Sequence, residues 1–548
     1  MGYFGTNEDL PATTSFRAGS WTGVYEVGKL RYLCLGNCEV LRMIYPAIRD
    51  HYWRTAPAQI LSEKIQIEAQ SFSIEYTARY QLEAVDFQAH YLFQGDAEGR
   101  LSVTMQGEAL SDFQRNRIGL CVLHPIDSCV GKSVGIIHPD GSREASTFPT
   151  LISPHQPFIG VQGMEWSPAP GVQVQLHFEG DIFETEDQRN WTDGSYKTYS
   201  TPLSIPYPVQ VQKGETMFQK LTLQAQIDAS VATSEPAQVE IKILDQTYPF
   251  PKLGTDWNPA ITAHTPALSV DFLNVLLKMH EPNWTETLDS ASQPAALKGK
   301  KIGLSVALTS TEDVSYLVQA LEPVAAQIQQ LCVLSATDPV PAANLMEAAY
   351  KTLKAKFPQF PIGFGTDGYF TQLNRNRPQT STFDFLQFSP NPQVHALDTR
   401  TIIENLSAQR DVVLTAQSFA PGQAIHVAPI TLRSRSNPNP ADAIDPRQHS
   451  LLTTAWTLLS MKYLAPCAVL SYFEWVGEKG GLPQDGASPL ADYWQQIAEF
   501  QPVRIVDTHS SDPLKKDLLL LENGRKERLG FEVDFVVGEI RVEKNYLT

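Results

Sequence analysis

Apolar and polar positions alternate with period two along Gln66 to Tyr80, Gly171 to Phe178 and Lys220 to Ile227, and more loosely along Gly23 to Leu33. Gly, Pro and Asp turns break these runs. The pattern predicts strands with one face in a core, hence an antiparallel N-terminal β-sandwich over residues 1–245. Only Asn37 to Arg54 loses the alternation there and reads as helical or irregular. From 246 to 500 the texture changes, and short apolar runs alternate with amphipathic segments. Buried-strand candidates are Tyr248 to Leu253, Trp284 to Leu288, Lys301 to Leu308, Gln330 to Leu334, Pro361 to Gly365, Phe383 to Phe388, Ile425 to Leu432 and Ala468 to Phe473. Helix candidates between them are Ser269 to Met279, Thr311 to Gln329, Ala342 to Lys356, Asp398 to Gln409 and Arg447 to Tyr463. Eight strands alternating with helices over about 250 residues predict a (β/α)8 TIM barrel, with an open doubly wound sheet as the alternative. Over 501–548 strands return, including a hairpin on Asn523-Gly524, and predict a small C-terminal β domain. The chain thus reads as a multidomain α/β and β protein.

Length supports that division, since 548 residues exceed what one core serves. The apolar fraction of 42% and charged fraction of 19% are globular values. Sixty acidic against 43 basic residues leave a net charge of −17, which argues against nucleic acid or an anionic membrane as partner. Six scattered cysteines suggest reduced thiols. No secretory signal and no run of about 18 apolar residues is visible, so the expected compartment is the cytoplasm. Oligomeric state is left open.

Candidate chemistry follows from the barrel rule that working residues lie at the C-terminal strand ends. The ends of strands 5 to 8 supply Asp367, Asn374, Arg375, Asn391, His395, Arg433 and Glu474, and the long polar loop Ser434 to Pro446 falls on the same face. The first four ends are poorer, apart from Asp256 and Trp257. An Arg after an apolar strand needs an anion or several acceptors. Glu474, between Phe473 and Trp475, is expected to be partly desolvated, which suits a proton shuttle. A second polar centre lies in the sandwich half: Glu184, Glu186, Asp187, Arg189, Asn190, Asp193 and Lys197 are interleaved with Trp191, Tyr196 and Tyr199. Such a cluster reads either as a structural network docking two domains or as part of a ligand site. Gly363 to Gly368 matches a dinucleotide pattern by letter, but Pro378 leaves little room for the helix that must hold a pyrophosphate. His124, His138 and His155 are irregularly spaced for a metal. No metal and no cofactor is predicted.

Several blocks resemble the D-apionate lactonase family. They are Gly36 to Tyr45 with Ile48 to Asp50, Leu123 to Pro125, Phe178 to Asp193, Gly365 to Phe370 with Leu373 to Pro378, Ser389 to Ala396, and Pro429 to Arg433. The Glu186-Asp-Gln-Arg-Asn-Trp-Thr-Asp193 block is the long, specific one. The resemblance implies the same three-part architecture and hydrolysis of a five-membered sugar lactone to the open acid. The chain departs from the family pattern around Gly254 to Pro259 and Trp475 to Gly480, both at barrel strand ends, which leaves the exact substrate open.

Lactone opening needs a base to activate water and a cation or donor set for the oxyanion. Glu474 or Asp367 is the expected base. Arg433, Asn374 and His395 are expected to stabilise the oxyanion or bind hydroxyls, with Asn391 and Trp475 lining the substrate. Arg375 is either a substrate contact or structural. The Glu184 to Lys197 block, with Asp187, Arg189, Asn190 and Trp191, is expected to close the barrel mouth. The partner is a small sugar lactone or, alternatively, a glycoside cleaved by paired carboxylates roughly 5 to 10 Å apart. A third reading is a non-catalytic sugar-binding protein using Trp191, Trp257, Trp284 and Trp475.

Overall fold

The computed structural model describes residues 2–7, 9–228, 238–262, 265, 268–293, 299–433, 444–484 and 487–546. The chain packs as two compact units: residues 11–188 with 194–238, and residues 1–10 with 189–193 and 239–548.

The first unit is the expected β-sandwich of two nine-stranded sheets. Strands such as Phe72–Leu82 and Val172–Glu179 bury every second residue, so each sheet gives one face to a shared core containing Trp21, Phe87, Tyr91, Leu120 and Leu221. Cys38–Asp50, expected to be helical or irregular, is instead a thirteen-residue strand between Lys29–Leu35 and Phe113–Pro125. It lies inside its sheet and buries Leu41, Met43, Ile44, Ala47 and Ile48 on both faces, which erases the period-two signal.

The second unit contains a closed parallel barrel. Its strands in order are Lys252–Asp256, Phe272–Lys278, Lys301–Leu308, Ile328–Ser335, Ile362–Gly365, Phe385–Phe388, Ala424–Ile430 and Val469–Val476. The first pairs with the last to close the ring. The count of eight is as expected, but two elements exchange type. Phe272–Lys278, read as part of a helix, is strand 2, and Trp284–Ala291, read as a strand, is a helix. The first of these runs is apolar on both sides, so periodicity cannot tell strand from helix there. The burial of Leu288 and Ala291, three residues apart, is the helical spacing. The run expected as strand 1, Tyr248 to Leu253, straddles two strands: Lys252–Asp256 in the barrel, and Ile241–Pro249, which pairs with Pro502–Ser510. That pair belongs to a five-stranded C-terminal sheet, completed by Lys516–Asn523, Arg528–Asp534 and Glu539–Lys544.

Helix Leu451–Tyr463 is buried almost all round, and its Lys462 makes a buried ion pair with Asp517 of the C-terminal sheet. Asp398, Ser450 and Ser488 each cap a barrel helix by accepting a backbone N–H from the first turn. Residues 434–443 of the expected polar loop lie outside the described residues. No helix among the described residues is long and apolar enough to cross a membrane.

Candidate active site at the barrel mouth

Paired residues on neighbouring strands project to the same face. Followed round the ring, the register puts Asp256, Asn274, Ser305, Cys332, Gln387 and Ser471 on the interior side. Hydrogen bonds join most of them. Gln387 Nε2 donates to Ser305 Oγ at 2.9 Å, Ser305 Oγ to Asn274 Oδ1 at 3.4 Å, and Asn274 Nδ2 to Asp256 Oδ1 at 3.0 Å. Ser471 Oγ donates to the same Asp256 oxygen at 3.3 Å. This chain of contacts crosses the barrel from strand 6 to strand 1 and satisfies polar groups that would otherwise be costly to bury. Below it, glycine admits Phe272: a Cβ at Gly254 would sit 2.3 Å from that ring.

Strand 8 breaks the period-two rule at its end. Gly254 pairs with Ser471, yet two residues further along strand 1 Asp256 pairs with Glu474, three residues further along strand 8. The extra residue is a β-bulge. Within it Phe473 has φ 53°, a left-handed conformation that bulky residues rarely adopt, costing about 1–3 kcal/mol. In a regular strand Phe473 would face the interior with Ser471, and Glu474 would face outward. The bulge turns Glu474 inward, beside Asp256. Its half-buried carboxylate takes a hydrogen bond from Asn258 Nδ2 at 2.7 Å, the one it receives from the described residues. Trp475, the next residue, is completely buried in packing.

Across the mouth, Asp367 follows strand 5 and is half-buried. Its carboxylate makes no hydrogen bond or ion pair with the described residues. Burial, and after it the Asp367 charge, push the Cys332 thiol well above its usual value. Arg433, after strand 7, is half-buried with its Nε 3.0 Å from Asp445 Oδ2. The Nε–H is not aimed well enough to make a hydrogen bond, so the contact is an ion pair. Asp445 is a hub, accepting from Arg447 Nε and Nη2 and from Gln393 Nε2, each at 2.8 Å.

The ends of strands 5 and 6 are different. Asn374 Nδ2 donates to Asn190 Oδ1 at 2.9 Å and its Oδ1 accepts from Arg377 Nη2 at 2.8 Å. His395 Nδ1 is bonded to Asp193 Oδ2, and the other Asp193 oxygen accepts from Asn405 Nδ2 at 2.8 Å. Arg189 is fully buried with Nη1 3.0 Å from Asp411 Oδ2. Trp191 sits edge-on to Tyr369 and His395, with ring centroids 5.3 and 5.7 Å away, and the exposed Arg375 lies 5.9 Å over it. Asn391 is buried and accepts the backbone N–H of Gln393. Arg189–Asp193 therefore packs as part of the barrel unit.

The rest of that polar block stays in the sandwich. Glu184 Oε1 accepts from Tyr199 Oη at 2.5 Å and from the Leu203 N–H at 2.7 Å. Asp187 Oδ2 accepts from the Ser153 N–H at 3.0 Å, and Lys197 pairs with Glu186 at 3.1 Å. His124 is a core residue, with Nε2 2.9 Å from Thr198 Oγ1, and burial pulls its pKa down to about 3. No group of three or more His, Cys, Asp or Glu among the described residues is arranged to hold a metal ion.

Sequence reasoning passed over Thr255, Asn258, Asn274, Ser305, Gln387, Ser471 and Asp445. The signal for four of them was there: a single polar residue at the interior position of an apolar barrel strand. Asn258 and the bulge had none, because both depend on two strands more than 200 residues apart.

Two models of the D-apionate lactonase family match, that of the N-terminal domain over residues 1–228 and that of the TIM barrel domain over residues 258–504. A D-apionate lactonase of Brucella anthropi is 28% identical over 463 residues, covering 79% of this chain and 75% of that one. Among solved structures, an α-L-arabinofuranosidase from Thermotoga maritima matches with 9% identity and a TM-score of 0.33, over 46% of this chain and 63%, under two thirds, of that one. A GalM/aldose epimerase homologue from C. elegans matches with 7% identity and a TM-score of 0.25, over 39% of this chain and 99% of that one. The two family models span most of the sequence, and the chain belongs to the D-apionate lactonase family, hydrolases of the lactonase type.

Proposed function

We propose that the protein opens a five-membered sugar lactone of the apionolactone class to the free aldonic acid, with Glu474 as the general base. The observation that carries this is the bulge. Strained backbone persists only where its surroundings hold it, and it gathers at functional sites. Here it turns a carboxylate with spare hydrogen-bonding capacity toward the barrel mouth.

In this reading Glu474 takes a proton from water as the oxygen adds to the lactone carbonyl carbon. The tetrahedral oxyanion then collapses, the ring C–O bond breaks, and the departing alkoxide takes the proton back. Arg433 supplies positive charge for the oxyanion and for the product carboxylate. Its Nη groups make no hydrogen bond to the described residues, and the Asp445 ion pair steadies the side chain without covering them. An Arg so placed also predicts product inhibition. Asp367, unpaired among the described residues, suits a sugar hydroxyl as donor. His395, Asn374, Arg189, Asn190 and Trp191 hold the strand 5 and 6 ends together, and the fully buried Trp475 packs. Six free cysteines without a disulfide are in keeping with a cytoplasmic setting.

The test is a screen of purified protein against sugar lactones and aryl glycosides. Acid release from a branched five-carbon lactone without chromophore release from any glycoside is the expected result. Chromophore release with inert lactones would replace this reading with glycoside cleavage by the Glu474 and Asp256 pair.

A further inference from the structure

We infer that Asn258 and Thr255, from the end of strand 1, are positioning residues that hold Glu474 in its working orientation. The inference rests on Glu474 being the base and explains how so flexible a side chain is aimed. A glutamate has three rotatable bonds, and fixing them costs side-chain freedom. At the mouth that cost is met from one neighbouring strand.

Asn258 Nδ2 donates to Glu474 Oε2 at 2.7 Å and to the Val476 carbonyl at 2.6 Å. One amide nitrogen thus ties the carboxylate to the backbone two residues further along the same strand. A single carboxylate oxygen is engaged, and the other is left for water. Thr255 acts one step further back. Its Oγ1 donates at 3.0 Å to the carbonyl of Phe473, the left-handed residue of the bulge. A bulge takes a carbonyl out of the strand ladder, and the threonine hydroxyl gives that buried carbonyl a partner. The loop carrying Asn258 is anchored by the Trp257 N–H, which donates to the Asn274 carbonyl at 2.8 Å. Gly477, at φ 110°, forms the turn after strand 8 in a conformation closed to other residues, and Asn258 Nδ2 would be the nearest atom to a Cβ there, at 4.0 Å.

The experiment measures kcat, KM and the thermal midpoint for Asn258→Ala and Thr255→Val, each in the wild-type and in the Glu474→Gln background. In the wild-type background Asn258→Ala is expected to lower kcat about tenfold and Thr255→Val about threefold, with KM within about twofold, because a misaimed base loses geometry and not binding. In the Glu474→Gln background neither change should lower kcat further. Asn258→Ser, which keeps a short donor, should recover part of the loss. Equal loss in both backgrounds, or no loss in either, overturns the inference. If Asn258→Ala fails to fold, Thr255→Val, near-isosteric and in a buried site, carries the same comparison. Should Glu474→Gln itself turn over normally, the choice of base fails and the positioning role fails with it. That result is distinct from an active-site glutamate whose neighbours do not matter.

Discussion

At the ends of barrel strands 5 and 6, Asn374, His395 and Asn405 direct their hydrogen bonds to Asn190 and Asp193. At the ends of strands 8 and 1, Glu474 takes one hydrogen bond from Asn258 while sitting on a strained bulge. The first region is far richer in polar residues and its groups answer one another. The second has fewer, and there a carboxylate keeps capacity for water. Polar density in sequence marks places where buried groups must be matched. Chemistry is better marked by strain combined with an incompletely matched ionisable group.

The contrast can be broken by substitutions that separate stability from turnover. The largest stability effect is expected for Asp193→Ala, which leaves His395 and Asn405 without their shared acceptor in a buried setting. Roughly 3 kcal/mol should be lost, read by chemical denaturation, while kcat of the folded fraction stays within about threefold of wild type. A large fall in kcat at unchanged stability would move His395 into the reaction.

Asp445→Asn is expected to cost about 2 kcal/mol at pH 7, with a characteristic pH dependence. Burial works to raise the Asp445 pKa, but the hydrogen bonds and charge of Arg447 outweigh it and hold the carboxyl below its usual range. Its contribution is therefore complete above the unfolded-state value of about 3.9 and is lost as pH falls through the lower folded value. Denaturation of wild type and variant should differ at pH 7 and converge in acid. A constant gap would assign the loss to packing. The smallest effect, about 1 kcal/mol, is expected for Asn374→Ala, with turnover unchanged.

The architecture was legible because periodicity reports which face of an element is buried. It failed where both faces are buried: the strand Cys38–Asp50 lost its alternation inside a sheet, and Phe272–Lys278 looked like a helix. Glu474 stood out in the sequence through its position at a strand end, yet strict alternation from Ser471 would have pointed it outward. Only the pairing with strand 1 reveals the bulge. Likewise, nothing local in the Glu184 to Lys197 block says that Arg189–Asp193 packs with the barrel unit and its neighbours with the sandwich. Those partners lie about 200 residues along the chain, and one sequence carries no record of that proximity.

The most direct measurement is kcat and thermal midpoint of Glu474→Gln on the same lactone as the wild type. A base turned inward by the bulge predicts at least about a hundredfold lower kcat with KM and midpoint nearly unchanged. Near-normal turnover in that variant would contradict it and leave Asp367 as the carboxylate to test.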